Sequence, residues 1–231
     1  VILGGSILAV ALATLAFVGG HFLLSHPLRP ALVRLLGEKA FSGVYSLLVA
    51  IALAWMVYAH SDAPYVAIWG DPPWAQHLLP LIMVPSVLLV VLGLTSSNPT
   101  LGPQGAAALA GAGHGATAIT RHPMLWGFAL WSIGHMLANG DQATVILTGG
   151  ILILSLGGAA AIDAKKRAAL GAPYEAFMAR TSFVPFLALA QGRARLNWAE
   201  IGLWRIVLTV VVYVALVLLH PYVIGRPAID L

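Results

Sequence analysis

The sequence predicts an all-α, polytopic membrane helix bundle of about six transmembrane spans. Hydrophobic residues make up 60% of the 231 residues and charged residues 9%, against about 25% charged in a soluble domain. Mean hydropathy is +0.91. The apolar residues fall into six runs, each close to the ~20 residues a helix needs to cross hydrocarbon. The length suits one integral-membrane domain over residues 1–231.

The runs place spans at roughly 2–24, 41–60, 77–95, 123–139, 143–162 and 203–220. Val1 to Leu24 lacks a basic leader and more spans follow it, so it reads as a span and not as a cleaved signal. The fourth and fifth spans are joined tightly through Asn139-Gly140-Asp141. No internal repeat is visible. The loop 96–118 is rich in Gly, Ala and Pro and carries no charge. The segment 163–202 is the one hydrophilic stretch of any size. Within it, Asp163 to Leu170 reads as the polar end of the fifth span, stopped by Gly171 and Pro173. Tyr174 to Met178 reads as a short interfacial helix, and the Lys165-Lys166-Arg167 cluster suits anionic lipid.

Charge placement orients the bundle. Arg29, Arg34, Lys39, Arg121, Lys165, Lys166, Arg167, Arg180, Arg193, Arg195 and Arg205 fall on one side of six spans, and Arg226 falls on the other. Basic loops stay cytoplasmic, so both termini are expected outside and 163–202 in the cytoplasm. The net charge of +4 sits in these loops and implies membrane lipid as a partner, not nucleic acid. Absence of cysteine excludes disulfides, iron–sulfur ligation, thiolate catalysis and covalent Cys-x-x-Cys-His haem attachment.

Ionisable residues inside a span are costly and mark function. Eight histidines are present. His26 and His122, each followed by proline, sit at cytoplasmic helix edges, where solvent or headgroups are expected to satisfy them. His114 lies in the Gly/Ala loop and is expected to be exposed. His60, His77 and His220 read as interfacial. His21 and His135 differ: both lie inside apolar runs, and each follows a glycine, Gly20 and Gly134. Glycine removes the side chain that would hold a flat macrocycle off the backbone. Two intramembrane histidines on different helices can clamp a haem iron from both faces. Two hydrogen-bonded packing histidines fit the same spacing.

Gly37-Glu38-Lys39-Ala40-Phe41, Thr120-Arg121-His122-Pro123, Gly134-His135, Arg180-Thr181-Ser182-Phe183-Val184-Pro185-Phe186 and Gly192-Arg193 together resemble the NnrU family. That family takes its name from genes linked to nitrite and nitric oxide reduction in denitrifying bacteria. The same string is similar to the plant and algal 15-cis-zeta-carotene isomerases. The resemblance runs in one order from about His21 to Pro221. It implies a bacterial inner-membrane protein with noncovalent haem b and redox-dependent cis–trans isomerisation of a carotenoid. It also implies His21 and His135 as metal ligands and catalytic residues, with Gly20 and Gly134 beside the cofactor. Arg29 or Arg121 then pairs with the propionates. The implied partner is an apolar polyene or another lipid-soluble substrate. A non-enzymatic haem protein of nitrogen-oxide respiration, acting as sensor, electron carrier or assembly factor, is the alternative the family name implies. The plant enzymes carry a cysteine three residues before the second histidine; here Ser132 stands there and supplies no thiolate.

A weaker likeness, in Arg121-His122-Pro123-x-x-x-Gly127 and Leu170-Gly171-x-x-Tyr174, is to isoprenylcysteine-carboxyl-type methyltransferases that use S-adenosylmethionine. Their Glu-Glu pair corresponds here to Ile162 and Asp163, which argues against methyl transfer. The haem reading carries one geometric tension. At ~1.5 Å per residue, His21 and His135 differ in depth by roughly 13 Å, and His60, His77 or His220 would replace His21 if helix tilt did not absorb it. The orientation is checked by reporter fusions after Gly70 and after Gly192, which are expected to read outside and inside respectively.

Overall fold

The computed structural model describes residues 3–101, 109, 113–225 and 227–228, so Arg226 and most of the Gly/Ala loop lie outside the described residues. The described chain is helical apart from one short strand pair. The order is α1 (Ile7–Ser25), α2 (Arg29–Leu36), α3 (Glu38–Ser61), β1 (Ala67–Gly70), α4 (Pro73–Thr95), α5 (Gly115–Ile119), α6 (Pro123–Ala138) and β2 (Gly140–Asp141). It continues with α7 (Gln142–Leu170), α8 (Ala172–Arg180), α9 (Leu187–Ala190), α10 (Trp198–Ile201) and α11 (Leu203–Ile224).

Each of the six expected spans is a helix, within a few residues of its expected limits. Among the described residues, α1, α3, α4, α7 and α11 are long and apolar enough to cross a membrane. The fourth, α6, has 16 residues, about 24 Å at 1.5 Å per residue, short of the ~30 Å hydrocarbon core. The fifth is longer than expected: α7 continues past Asp163 to Leu170, where Gly171 ends it at φ 58° and Pro173 starts α8. The expected interfacial helix is present as α8.

The chain divides into two compact units, each assembled from two stretches of sequence. One contains Val1–Gln76 and Ser132–Leu154, the other His77–Trp131 and Ser155–Leu231.

In the first unit, α1 and α3 run antiparallel. Ser25 Oγ donates to Tyr45 Oη (3.2 Å) at one end, and Trp55 Nε1 donates to the Leu3 carbonyl (3.1 Å) at the other. Val10, Ala13, Met56 and Ala59 are buried. The N-terminal end of α1 is capped by Ser6 Oγ, which accepts from Ala9 N–H (3.1 Å). At the same end β1 pairs antiparallel with β2, Ala67 with Asp141 and Gly70 with Gly140. Gln76 Nε2 donates to the Ala138 carbonyl (2.7 Å), His60 Nε2 bonds Thr144 Oγ1 (3.1 Å), and Asp141 Oδ1 caps α7 through Thr144 N–H (3.1 Å). Gly149 and Gly150 let neighbours approach α7. A Cβ at Gly150 would overlap the Thr14 methyl of α1, and one at Gly149 would lie 3.7 Å from Met136 Cε of α6.

In the second unit, α4 and α6 touch backbone to backbone. A Cβ at Gly127 would overlap Val90 and the Ser86 carbonyl, and Ser86 Oγ donates to the Gly127 carbonyl (2.8 Å). Leu89, Leu92, Ala116, Ile119 and Ile201 form a core against which Trp126 and Leu130 pack. Arg205 at the start of α11 donates to Thr95 Oγ1 (3.0 Å) and the Thr95 carbonyl (2.9 Å), which closes the C-terminal end of α4. Along α11, Val210, Val211, Val214 and Leu218 stay exposed, as side chains facing lipid would.

Gly150→Leu forces a side chain into the Thr14 contact, and overpacking of that kind costs about 1–3 kcal/mol. Its thermal unfolding midpoint in detergent is expected to fall. Gly158→Ala meets nothing within 4 Å, and its midpoint is expected to hold or rise.

Candidate functional site

His21 lies one turn before the C-terminal end of α1, half-buried. Its Nδ1 donates to the Phe17 carbonyl (2.8 Å). A carbonyl only accepts, so the neutral ring carries its lone pair on Nε2, the arrangement that second-shell bonds impose on metal-ligating imidazoles. The ring sits edge-on to Phe17 (4.6 Å between centroids) and to Tyr45 (6.0 Å). Beside Gly19 and Gly20 no atom lies within 4 Å of a built Cβ. The backbone at His21 is therefore open to a flat group.

His135 lies in the last turn of α6, also half-buried, with Gly134 buried before it. Both histidines belong to the first unit. α1 runs parallel to α7, and α6 runs antiparallel to it. Side chains lean toward the N-terminus of their helix, so in these opposed helices His21 and His135 lean toward each other in depth. His21 stands seven residues, ~10 Å, beyond the Thr14–Gly150 contact, while His135 adjoins Met136 at Gly149. The depth difference read from sequence is thus still of that order, and opposed side-chain tilt offsets part of it. Of the substitute ligands, His60 shares this unit and bonds Thr144, whereas His77 and His220 belong to the other. Arg29 pairs with Glu38 and lies over the Phe41 ring (5.5 Å), with its side chain 35% exposed.

The second unit holds a buried polar cluster. Asp163 of α7 accepts from Arg121 Nε (2.7 Å) on Oδ2, and from His122 Nε2 (2.8 Å) and Tyr174 Oη (2.7 Å) on Oδ1. Arg121, His122, Asp163 and Tyr174 are each at most 8% exposed. Burial pushes the Tyr174 hydroxyl above its ordinary range, and the hydrogen bond and charge of Asp163 push the same way, so it stays a donor. Phe183 lies within 5.8 Å of the Arg121 guanidinium and 5.7 Å of the His122 ring. Arg121 N–H donates to the Ser182 carbonyl (3.0 Å), and Thr120 Oγ1 donates to the Phe183 carbonyl (2.7 Å).

This overturns the expectation that solvent or headgroups satisfy His122. The ring is buried, and a carboxylate from α7 takes its Nε2–H. His26 departs from the same expectation, since both its ring nitrogens are buried without a hydrogen-bond partner. His114 is exposed, as expected. Arg121, expected near propionates, has its Nε held by Asp163. The sequence reading treated Asp163 as the remnant of a carboxylate pair, although the spacing of Arg121-His122, Asp163 and Tyr174 already joined them in the methyltransferase likeness. In this structure Asp163 is filled by donors of its own chain, so it has no vacant lone pair for a ligand's ammonium group.

Removing the carboxylate leaves a buried guanidinium unpaired, at a cost of about 3–5 kcal/mol. Asp163→Ala is expected to lose most of its folded yield and to lower the unfolding midpoint well below that of Tyr174→Phe. The latter gives up one hydrogen bond to a charged group, about 1.5–3 kcal/mol. Equal midpoints in a detergent thermal-shift assay would assign the cluster no structural weight.

Two plant proteins share part of the sequence. The chain is 35% identical over 78 residues to the chloroplastic 15-cis-zeta-carotene isomerase of Zea mays, covering 34% of this chain and 21% of that one. It is 33% identical over 75 residues to the corresponding Arabidopsis thaliana enzyme, covering 32% and 20%. The match thus spans about a fifth of each plant protein's length. No solved structure matches. The profile of the family described as NnrU protein matches residues 9–228, nearly the whole chain. This helical membrane protein, with its two intramembrane histidines and its buried Arg-His-Asp-Tyr cluster, therefore belongs to the NnrU family.

Proposed function

We propose that this chain is an integral-membrane isomerase that turns a cis double bond of a long, carotenoid-like polyene to trans, and that it holds haem b through His21 and His135. The partial identity to two 15-cis-zeta-carotene isomerases supports the reaction class. The hydrogen bond from His21 Nδ1 to the Phe17 carbonyl is the observation that carries the cofactor, because it presents Nε2 as a ligand beside open backbone. When bound, ferrous haem supplies a Lewis acid or one-electron partner that weakens a conjugated double bond.

The remaining work falls to the chain. The Phe17 carbonyl holds the His21 ring in one tautomer. Gly20 and Gly134 keep Cβ atoms away from the planar group. Arg29 lies on α2, just past the end of α1 that carries His21. It is charged and partly exposed, so it is the cation free to exchange Glu38 for a propionate. Arg121 stays with Asp163. Apolar helices in a lipid phase exclude water from the polyene. Ser132 cannot become a thiolate ligand, so any exchange at iron in this chain proceeds without sulfur.

Purified protein in lipid vesicles is expected to be coloured, with a Soret band, and to release its haem into acidified organic solvent. His135→Ala is expected to lose most of the haem. His21→Ala is expected to lose it or turn high-spin, and His114→Ala to change nothing. Incubated with 15-cis-zeta-carotene and a reductant, wild type is expected to deplete the 15-cis isomer, as followed by chromatography. A colourless protein expressed with ample haem would remove the ligand assignment. Unchanged isomer composition with haem present would remove the isomerase.

A further inference from the structure

Hydroxyls in buried helices normally fold back on their own backbone, because no water reaches them. This chain follows that habit at four threonines. Thr95, Thr148, Thr181 and Thr209 donate to the carbonyls of Val91, Thr144, Phe177 and Arg205, at 2.6–2.8 Å. Thr14 on α1 and Ser132 on α6 do not. Thr14 is 6% exposed and Ser132 0%, and neither hydroxyl oxygen has a hydrogen-bond partner. A buried hydroxyl without a partner is disfavoured, so two in one unit point to a ligand that would satisfy them.

The two residues occupy one layer of the first unit. The Thr14 methyl rests against Gly150 of α7. Ser132 is one turn before Met136, on the same face of α6, and Met136 rests beside Gly149. Because α6 and α7 run in opposite directions, Ser132 and Thr14 lie within about one helical turn, ~5 Å, of each other in depth. Ser132 precedes His135 by three residues and Thr14 precedes His21 by seven. Both spacings return to the same helix face. The hydroxyls therefore share faces with the two proposed ligands.

A hydrocarbon polyene offers these groups nothing. We propose that Thr14 and Ser132 hydrogen-bond an oxygen atom carried by the substrate, so that the site selects an oxygen-bearing polyene, an alcohol or ketone, over the bare hydrocarbon. This rests on the polyene reading above and narrows its substrate class. The pair are specificity-determining residues: each forms a bond to the oxygenated molecule and stays unsatisfied against the hydrocarbon.

The test uses the full chain in lipid vesicles. Its probes are retinol and the deoxy hydrocarbon of the same polyene length. Each dissociation constant is read from quenching of tryptophan emission, and protein-free vesicles correct for partitioning. Wild type is expected to prefer the alcohol by more than tenfold. Ser132→Ala and Thr14→Val are each expected to cut that preference about five- to tenfold, by weakening the alcohol alone. Thr14→Ser keeps a hydroxyl and is expected to keep the preference, so the threonine pair still decides if Ser132→Ala folds poorly. An alcohol-to-hydrocarbon ratio equal in wild type and variants would overturn the inference and leave the isomerase reading standing, with ordered water as the partner of both hydroxyls. Binding of neither probe would overturn the inference and the polyene reading together.

Discussion

One buried carboxylate ties the second unit together. Asp163 collects a guanidinium, an imidazole and a phenol, from the segment before α6 and from α8, onto the end of α7. In a chain with few charges, a carboxylate in that position is tolerable only with every lone pair engaged. The neighbouring segments follow from it. Arg121 must stop short of the helix so that its side chain reaches Asp163, and its backbone then pairs with Ser182. Tyr174 must turn inward, which fixes how α8 leaves Gly171. Phe183 covers the guanidinium and the imidazole. The longest polar stretch of the sequence is thus ordered from within.

Most of the architecture was legible from apolar run length, because lipid forces any spanning backbone to satisfy itself as helix. The short fourth helix and the extended fifth were less so. Run length counts apolar residues and does not register that α7 continues through Lys165 to Arg167, charged residues that are good helix formers. Orientation of the histidines was legible only in part. Glycine before His21 and before His135 singled them out, yet the bond from His21 to Phe17 depends on rotamer and helix position, which spacing does not encode.

His122 shows the opposite failure. A histidine before proline at a span edge reads locally as a headgroup contact. Its partner is 41 residues away, and single-sequence periodicity carries no information about a pairing at that separation. Thr14 and Ser132 were equally silent: a hydroxyl in an apolar run looks the same whether or not it bonds its own helix.

The polar clasps of the first unit gather at one end: the β1–β2 pair, Gln76 to Ala138, His60 to Thr144, and Asp141 capping α7. The opposite end of α1, with Gly19, Gly20 and His21, has Ser25 to Tyr45 as its tie. Within this unit the helices are thus hinged at the clasped end and freer to part at the other. A molecule dissolved in lipid would come in sideways between helices, from the leaflet that bathes the end carrying His21.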